Sequence, residues 1–228
     1  MFDITVITPT LGRRSILRLL DSLQKQNVKI LHLVMWDQKR CEDGILLNDP
    51  IFEKYHSENY KSYHYVISHP VYGISRVDNY LRSLGIVMAT TNYITQIDDD
   101  CWLEEGWLSR AIQLIKEKEI NYIFCQRNLW ENEEIFLGID NYESIGVKNK
   151  FGYHLMETNS IVFTKKIAFV IHKITYENNI YGHDRKIAEY LIENEKGIHD
   201  NQTSGLNQIV PDFLLEFHKY HISSNFSK

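Results

Sequence analysis

Short apolar runs rich in β-branched residues alternate with segments of helical period along the first half of this chain, and that alternation restricts the folds open to it. Ile4-Thr5-Val6-Ile7-Thr8 is such a run, stopped by Pro9, and predicts a buried strand. Ile16, Leu19, Leu20 and Leu23 then fall on one face at helical spacing, which predicts a helix over 14–26. The same reading gives strands over 30–36, 63–68 and 93–97 and a helix over 75–89. A helix over 104–117 and a strand over 122–126 follow. The expected architecture is α/β: a mostly parallel central sheet flanked by helices, with ligands expected beyond the carboxyl ends of the strands.

Beyond 130 the pattern loosens. Residues 131–152 are rich in Asn, Glu and Gly without a clear period, and predict a long loop acting as a lid on the acceptor side. A strand over 160–164, a short helix over 165–172 and a helix over 184–195 are expected next, and the segment from His199 onward reads as irregular. At 228 residues the chain has room for one substantial core. We read it as a single domain, 1–228.

Composition narrows the function classes. A hydrophobic share of 43% with 24% charged residues is that of a folded protein, and a net charge of -5 without a Lys/Arg block argues against a broad grip on nucleic acid. No basic start leads into a long apolar run, and no stretch has the length of a bilayer span, so the expected location is the cytoplasm, with a peripheral place at the membrane as a variant. Cys41, Cys101 and Cys125 are odd in number and form no CxxC pair, which predicts reduced thiols.

The chemistry concentrates at Asp98-Asp99-Asp100, directly after a predicted buried strand. Three adjacent carboxylates repel one another, and a hard divalent cation is a natural counter-charge; taken alone, the run is equally an acidic turn with Asp100 capping a helix. Its company favours the cation. Thr8-Pro9-Thr10, Gly12 and Arg13 would set backbone donors and a guanidinium at the end of the first strand. Asp37 closes the second strand, where a carboxylate can accept from a uracil ring or a ribose hydroxyl, and Arg76 and Asn79 open the helix that precedes the acidic strand.

Together, Ile4 through Thr10, Asp37, Gly73-Ile74-Ser75-Arg76 with Asn79, and Ala89 through Asp100 resemble the glycosyltransferases of the GT-A fold, especially the large inverting family two that includes polysaccharide and capsule synthases. The Thr-Pro-Thr opening with three aspartates is also similar to the animal glucuronyltransferases. The match departs at Trp36-Asp37-Gln38, where an acidic pair is usual, and at Arg76-Val77-Asp78-Asn79, where Arg and Asn usually adjoin. The resemblance implies a manganese or magnesium ion held by Asp100, with Asp98 or Asp99 taking the ribose or a metal-bound water. It implies a Rossmann-like nucleotide-sugar half over 1–100, an acceptor half over 101–228, and donor contacts from Thr8, Pro9, Thr10, Arg13, Asp37, Arg76 and Asn79. It also implies a base at Asp184 in Tyr181-Gly182-His183-Asp184, with His183 where the family carries an acid; the other reading of Asp184 is a helix N-cap. A histidine from the C-terminal segment is expected on the metal, His199 first and His218 second. Trp102, Trp107 and Trp130 are either sugar-stacking residues or core.

The expected reaction is transfer of one sugar from a nucleoside-diphosphate donor, uridine-linked, to an acceptor hydroxyl with inversion. Acceptor candidates are a glycan, a lipid-linked glycan, a protein, or modified bases in viral DNA. Two rivals stand beside it: a sugar-phosphate nucleotidyltransferase, and a non-catalytic module that binds nucleotide sugars or glycans.

Overall fold

The computed structural model describes residues 1–37, 44–45, 47–67, 77–132, 134–140, 156–177, 183–210, 214–215 and 218–219, with only the backbone at 77 and 201–203. One nine-stranded sheet runs through the described residues in the order β3-β2-β1-β4-β8-β6-β9-β5, with β7 paired to β6. The strands are β1 (Ile4–Thr10), β2 (Ile30–Asp37), β3 (Tyr60–Ile67), β4 (Tyr93–Gln96), β5 (Cys101–Leu103), β6 (Tyr122–Trp130), β7 (Phe136–Ile139), β8 (Val162–Thr164) and β9 (Gly197–Ile209). The helices are α1 (Ile16–Gln24), α2 (Val77–Met88), α3 (Trp107–Lys118), α4 (Lys165–Glu177) and α5 (His183–Asn194), with 3-10 turns at Pro50–Tyr55 and Thr158–Ser160.

The first four strands in the order are parallel. β1 lies between β2 and β4 and all seven of its residues are buried, as expected of a central parallel strand whose two faces are both covered. Ile16, Leu19, Leu20 and Leu23 of α1 and Leu108, Ala111, Ile112 and Ile115 of α3 pack one face. Leu81 and Ile86 of α2, Ile167 and Ile171 of α4, and Ile187 and Leu191 of α5 pack the other. Gly85 allows α2 to lie directly on β1, since a Cβ there would run into the Ile7 side chain. The chain leaves β1 to one side for β2 and β3 and reaches β4 on the other, so the strand order reverses between β1 and β4. In open α/β sheets the crevice beyond the carboxyl ends at such a point is where ligands bind.

Two expectations fail in the second half. The predicted 131–152 loop contains β7, which pairs antiparallel with β6; residues 133 and 141–152 lie outside the described residues. The segment after His199 is not irregular. β9 runs thirteen residues, parallel to β6 and antiparallel to β5, with register shifts around Gln126. Asp200, Ser204, Gly205, Asn207 and Gln208 give it poor strand propensity, and side-chain bonds compensate. Arg110 grips Asp200 through Nε at 2.6 Å and Nη2 at 3.2 Å, and Asn207 donates to Glu104 at 2.8 Å.

Candidate active site

The acidic run sits at the reversal point. Ile97 still donates to the Ile7 carbonyl at 2.9 Å, after which the chain turns, Cys101 N–H donating to the Asp98 carbonyl at 3.1 Å. Asp99 faces β1: the Thr10 hydroxyl donates to its Oδ2 at 2.6 Å and in turn accepts from Gly12 N–H at 2.8 Å. Gly12 holds φ at 86°, a left-handed conformation suited to glycine, and a Cβ there would lie 2.8 Å from the Trp36 ring. That turn delivers Arg13, whose Nη1 lies 3.3 Å from Asp99 and 3.2 Å from Asp100. Burial pushes the Asp99 carboxyl up to about 6 although Arg13 and Thr10 pull it down. Asp100 is also raised, first by burial and then by the charge of Asp98, with Arg13 opposing.

Asp98 is held from the other side. Arg82 of α2 forms an ion pair with its Oδ1, and Asn159 from the Thr158–Ser160 turn donates to its Oδ2 at 3.0 Å while accepting from Asp98 N–H at 2.9 Å. Asn159 also donates to Glu157 at 2.8 Å, and Glu157 accepts from Arg127 at 2.5 Å. Arg127 further binds Asp140 at 2.7 Å. None of Arg82, Arg127, Glu157, Thr158 or Asn159 was expected from the sequence. Arg82 did carry a signal: Asn79, Arg82, Ser83 and Ile86 follow the i, i+3, i+4, i+7 spacing of a buried face, and all four are buried. Polar side chains at core spacing mark a place where a helix must meet charge.

Asp184 enters the same cluster from the first turn of α5. Thr158 donates to its Oδ1 at 3.1 Å and His183 Nε2 lies 2.7 Å from the same oxygen. Burial raises the Asp184 carboxyl, but His183, Arg82 and Thr158 outweigh it and leave its pKa below the ordinary value. The group is therefore ionised at neutral pH and close to half exposed, at 45% of its side chain. Adjacent residues of one turn thus bridge the acidic run and Asp184.

Other expected residues fall elsewhere. Thr8 is buried and its hydroxyl lies 2.9 Å from His32 Nε2, within the sheet. Pro9 is buried in β1 opposite Met35. Asn79 is fully buried on the inner face of α2. Asp37 does end β2, at the same sheet edge as the acidic run, and Arg76 lies outside the described residues. His199 is not brought to Asp100. It pairs with Phe124 near the start of β6 and stacks on that ring at 4.5 Å, whereas Cys101, next to Asp100, pairs with Gln208, opposite Leu129. Five residues of β6 separate the two levels, roughly 16 Å of strand. His218 is buried, and Lys219 beside it pairs with Glu131 just past the end of β6. Trp107 is core; Trp102 lies under Arg18 at 4.4 Å, and Trp130 donates to Asn207 at 2.9 Å.

Among the described residues no group of three or more His, Cys, Asp or Glu side chains is gathered to hold a metal unaided. Magnesium-type sites on phosphate substrates commonly use one or two carboxylates, the phosphates and water supplying the rest. Asp100, with 29% of its side chain exposed, and Asp98, whose charge raises it, fit that open kind of site. Cys101 and Cys125 are buried free thiols, and Cys41 lies outside the described residues. No described helix is long and apolar enough to cross a membrane.

Residues 5–178 match the family described as Glycosyl transferase family 2. No curated protein matches the sequence. Among solved structures, S. aureus TarS is similar with a TM-score of 0.66 at 16% identity, covering 96% of this chain and 38% of that one. S. aureus TarS 1-349 in complex with UDP-GlcNAc gives 0.62 at 16% identity, covering 92% and 59%. A putative glucose-1-phosphate thymidylyltransferase from Bacillus anthracis gives 0.57 at 9% identity, covering 97% and 95%. At such identities the likeness is one of fold, and this chain spans only part of the TarS chains.

Proposed function

The chain belongs to glycosyl transferase family 2 and is a glycosyltransferase of the GT-A fold, and from that premise we propose that it transfers one sugar from a uridine-diphosphate donor to an acceptor hydroxyl with inversion. The family match sets aside the nucleotidyltransferase reading, which the fold alone leaves standing because the thymidylyltransferase shares it. The observation that carries the proposal is the convergence of Asp98 and Asp184 on one short turn at the sheet's reversal point.

In this reading the donor diphosphate lies over the acidic run, with Asp37 at the nucleoside end and Arg13 toward the phosphates. Asp100, with Asp98, would hold a manganese or magnesium ion, which when bound supplies charge neutralisation at the diphosphate leaving group. Asp184, ionised and held by Thr158 and His183, accepts the proton of the acceptor hydroxyl. Its lowered pKa makes it a weak base at rest, so proton transfer accompanies bond formation, when the attacking oxygen becomes acidic. Attack from the face opposite the diphosphate gives inversion. A glycan, lipid-linked glycan or protein is the acceptor class we favour.

The test is UDP release from UDP-glucose, UDP-galactose and UDP-GlcNAc with manganese, in native protein and in Asp184→Asn. We expect one donor to turn over and Asp184→Asn to lower kcat by about 10²- to 10⁴-fold, the usual worth of a general base, with UDP binding within threefold. Undiminished turnover in Asp184→Asn would remove the base, and UDP binding without turnover of any donor would favour a module that only binds.

A further inference from the structure

We propose that the turn Thr158–Ser160 is a positioning strap, in which Asn159 fixes Asp98 and Thr158 fixes Asp184, so that two adjacent side chains set the separation between the donor-side carboxylate and the base. The inference rests on the reading of Asp184 given above.

Asn159 is committed on three sides: its Oδ1 accepts from Asp98 N–H at 2.9 Å, and its Nδ2 donates to Asp98 Oδ2 at 3.0 Å and to Glu157 Oε1 at 2.8 Å. Both amide hydrogens and one lone pair are used, so reversing the amide would set donor against donor, and one orientation is imposed. The two bonds to a single residue grip both the backbone and the carboxylate of Asp98. Arg82 alone would leave that carboxylate free to pivot about one ion pair.

Thr158 faces the other way, donating to Asp184 Oδ1 at 3.1 Å, while the Asp184 residue itself starts a separate helix. The turn is anchored at its base. Glu157 accepts from Asn159 N–H at 3.1 Å, its carbonyl accepts from the Ser160 hydroxyl at 2.7 Å, and Arg127 holds its carboxylate at 2.5 Å. Asp98, Glu157 and Asp184 are mutually repulsive, as the raised Glu157 carboxyl reflects after burial and the opposing pull of Arg127. Neutral donors from one turn hold such carboxylates in place while leaving them their negative charge.

A strap predicts a split that a merely structural turn does not. UDP affinity is measured with manganese present, and turnover by UDP release from whichever of the three uridine sugars above is consumed fastest, with water as acceptor. Asn159→Ala should weaken UDP binding about tenfold with kcat changed less than threefold, and Asn159→Leu, which keeps most of the volume and loses the polar atoms without adding charge, should do the same if the alanine variant melts too low to assay. Thr158→Val should lower kcat roughly 10- to 100-fold, the worth of a hydrogen bond to a charged group, with UDP binding within twofold. Thr158→Ser should recover most of it. If both positions lower affinity and kcat together, or change only the melting temperature, the strap is overturned. If Asp184→Asn abolishes turnover while Thr158→Val leaves kcat unchanged, the strap fails and the base stands; if Asp184→Asn remains active, the failure lies in the base.

Discussion

The two halves of the sheet solve the same packing problem by different means. In β3-β2-β1-β4 the strand core is mostly apolar, and a polar chain buried within it is neutral: Tyr60 hydroxyl 2.6 Å from His32 Nδ1, and His32 Nε2 2.9 Å from the Thr8 hydroxyl. In β6-β9 and the turns around them ion pairs enter the interior, Arg127 and Asp140 buried with the partly buried Glu157 beside them and Arg110 closing on Asp200. Parallel strands with helices on both faces bury every side chain and therefore select apolar ones. The mixed half carries bulges, a polar strand and catalytic candidates, and charge pairs hold what apolar pattern does not specify.

The sharpest way to break this contrast is at Arg127. Its side chain is 5% exposed and that of Asp140 is 1%, so Arg127→Met leaves buried carboxylates without their partner. The expected loss is about 3–5 kcal/mol, the usual cost of removing one member of a buried pair. For a chain of this size that is roughly 10 °C in the thermal midpoint. Adding Asp140→Asn to Arg127→Met should recover part of it. A midpoint within 2 °C or so of the native value for Arg127→Met would show that the mixed half is apolar in its energetics after all.

The same contrast explains what the sequence disclosed. Ile4 through Thr8, the α1 stripe and the strand before Asp98 could be read because apolar spacing determines them, and the family match and fold agree with that reading. β9 could not be read: Asp200, Asn207 and Gln208 carry no strand signal, and their partners Arg110, Glu104 and Arg127 are distant in sequence. The aspartate run was visible as three adjacent letters. The residues that orient it were not, because Asn159 meets Asp98 across 61 positions and Thr158 meets Asp184 across 26. The level of His199 could not be read for a related reason: its distance from Asp100 depends on the register of β9, which no local pattern reveals.

The neutral half makes its own prediction with acid. Burial lowers His32 to about 3, and His64 to about 4, so both are neutral in the folded protein where the unfolded chain already binds protons near 6.5. Stability from these groups is complete above pH 6.5 and is lost as pH falls toward their folded values. Asp99 acts oppositely: raised to about 6, it binds a proton in the fold first and adds stability as pH falls from 6 toward its ordinary value. Each neutral buried histidine therefore leaves the unfolded chain about one proton ahead between pH 6 and 4.5. In His32→Gln one such proton is lost, so the slope of unfolding free energy against pH should fall by about 1.4 kcal/mol per pH unit in this window. Denaturant titrations at pH 6 and pH 4.5 measure it, and equal slopes in the two proteins would mean that His32 titrates normally.

The smallest effect on stability should lie at the seam between the halves. Arg13 faces two carboxylates, as Arg127 does, yet 48% of its side chain is exposed and one partner, Asp100, is partly open as well. Exposed pairs contribute little, about 0–1 kcal/mol. The buried partner Asp99, already raised to about 6, can take up a proton when Arg13 is removed and so avoids an uncompensated charge. Arg13→Gln is therefore expected to change folding free energy by less than about 1 kcal/mol near pH 6. UDP affinity should fall roughly tenfold, because a guanidinium beside a diphosphate forms charge-assisted hydrogen bonds that an amide does not replace. Stability and affinity would then separate at Arg13 where Arg127 shows only stability. A loss of folding free energy as large as that of Arg127→Met, with UDP binding unchanged, would make Arg13 a structural ion pair and move the donor's phosphates away from the turn after β1.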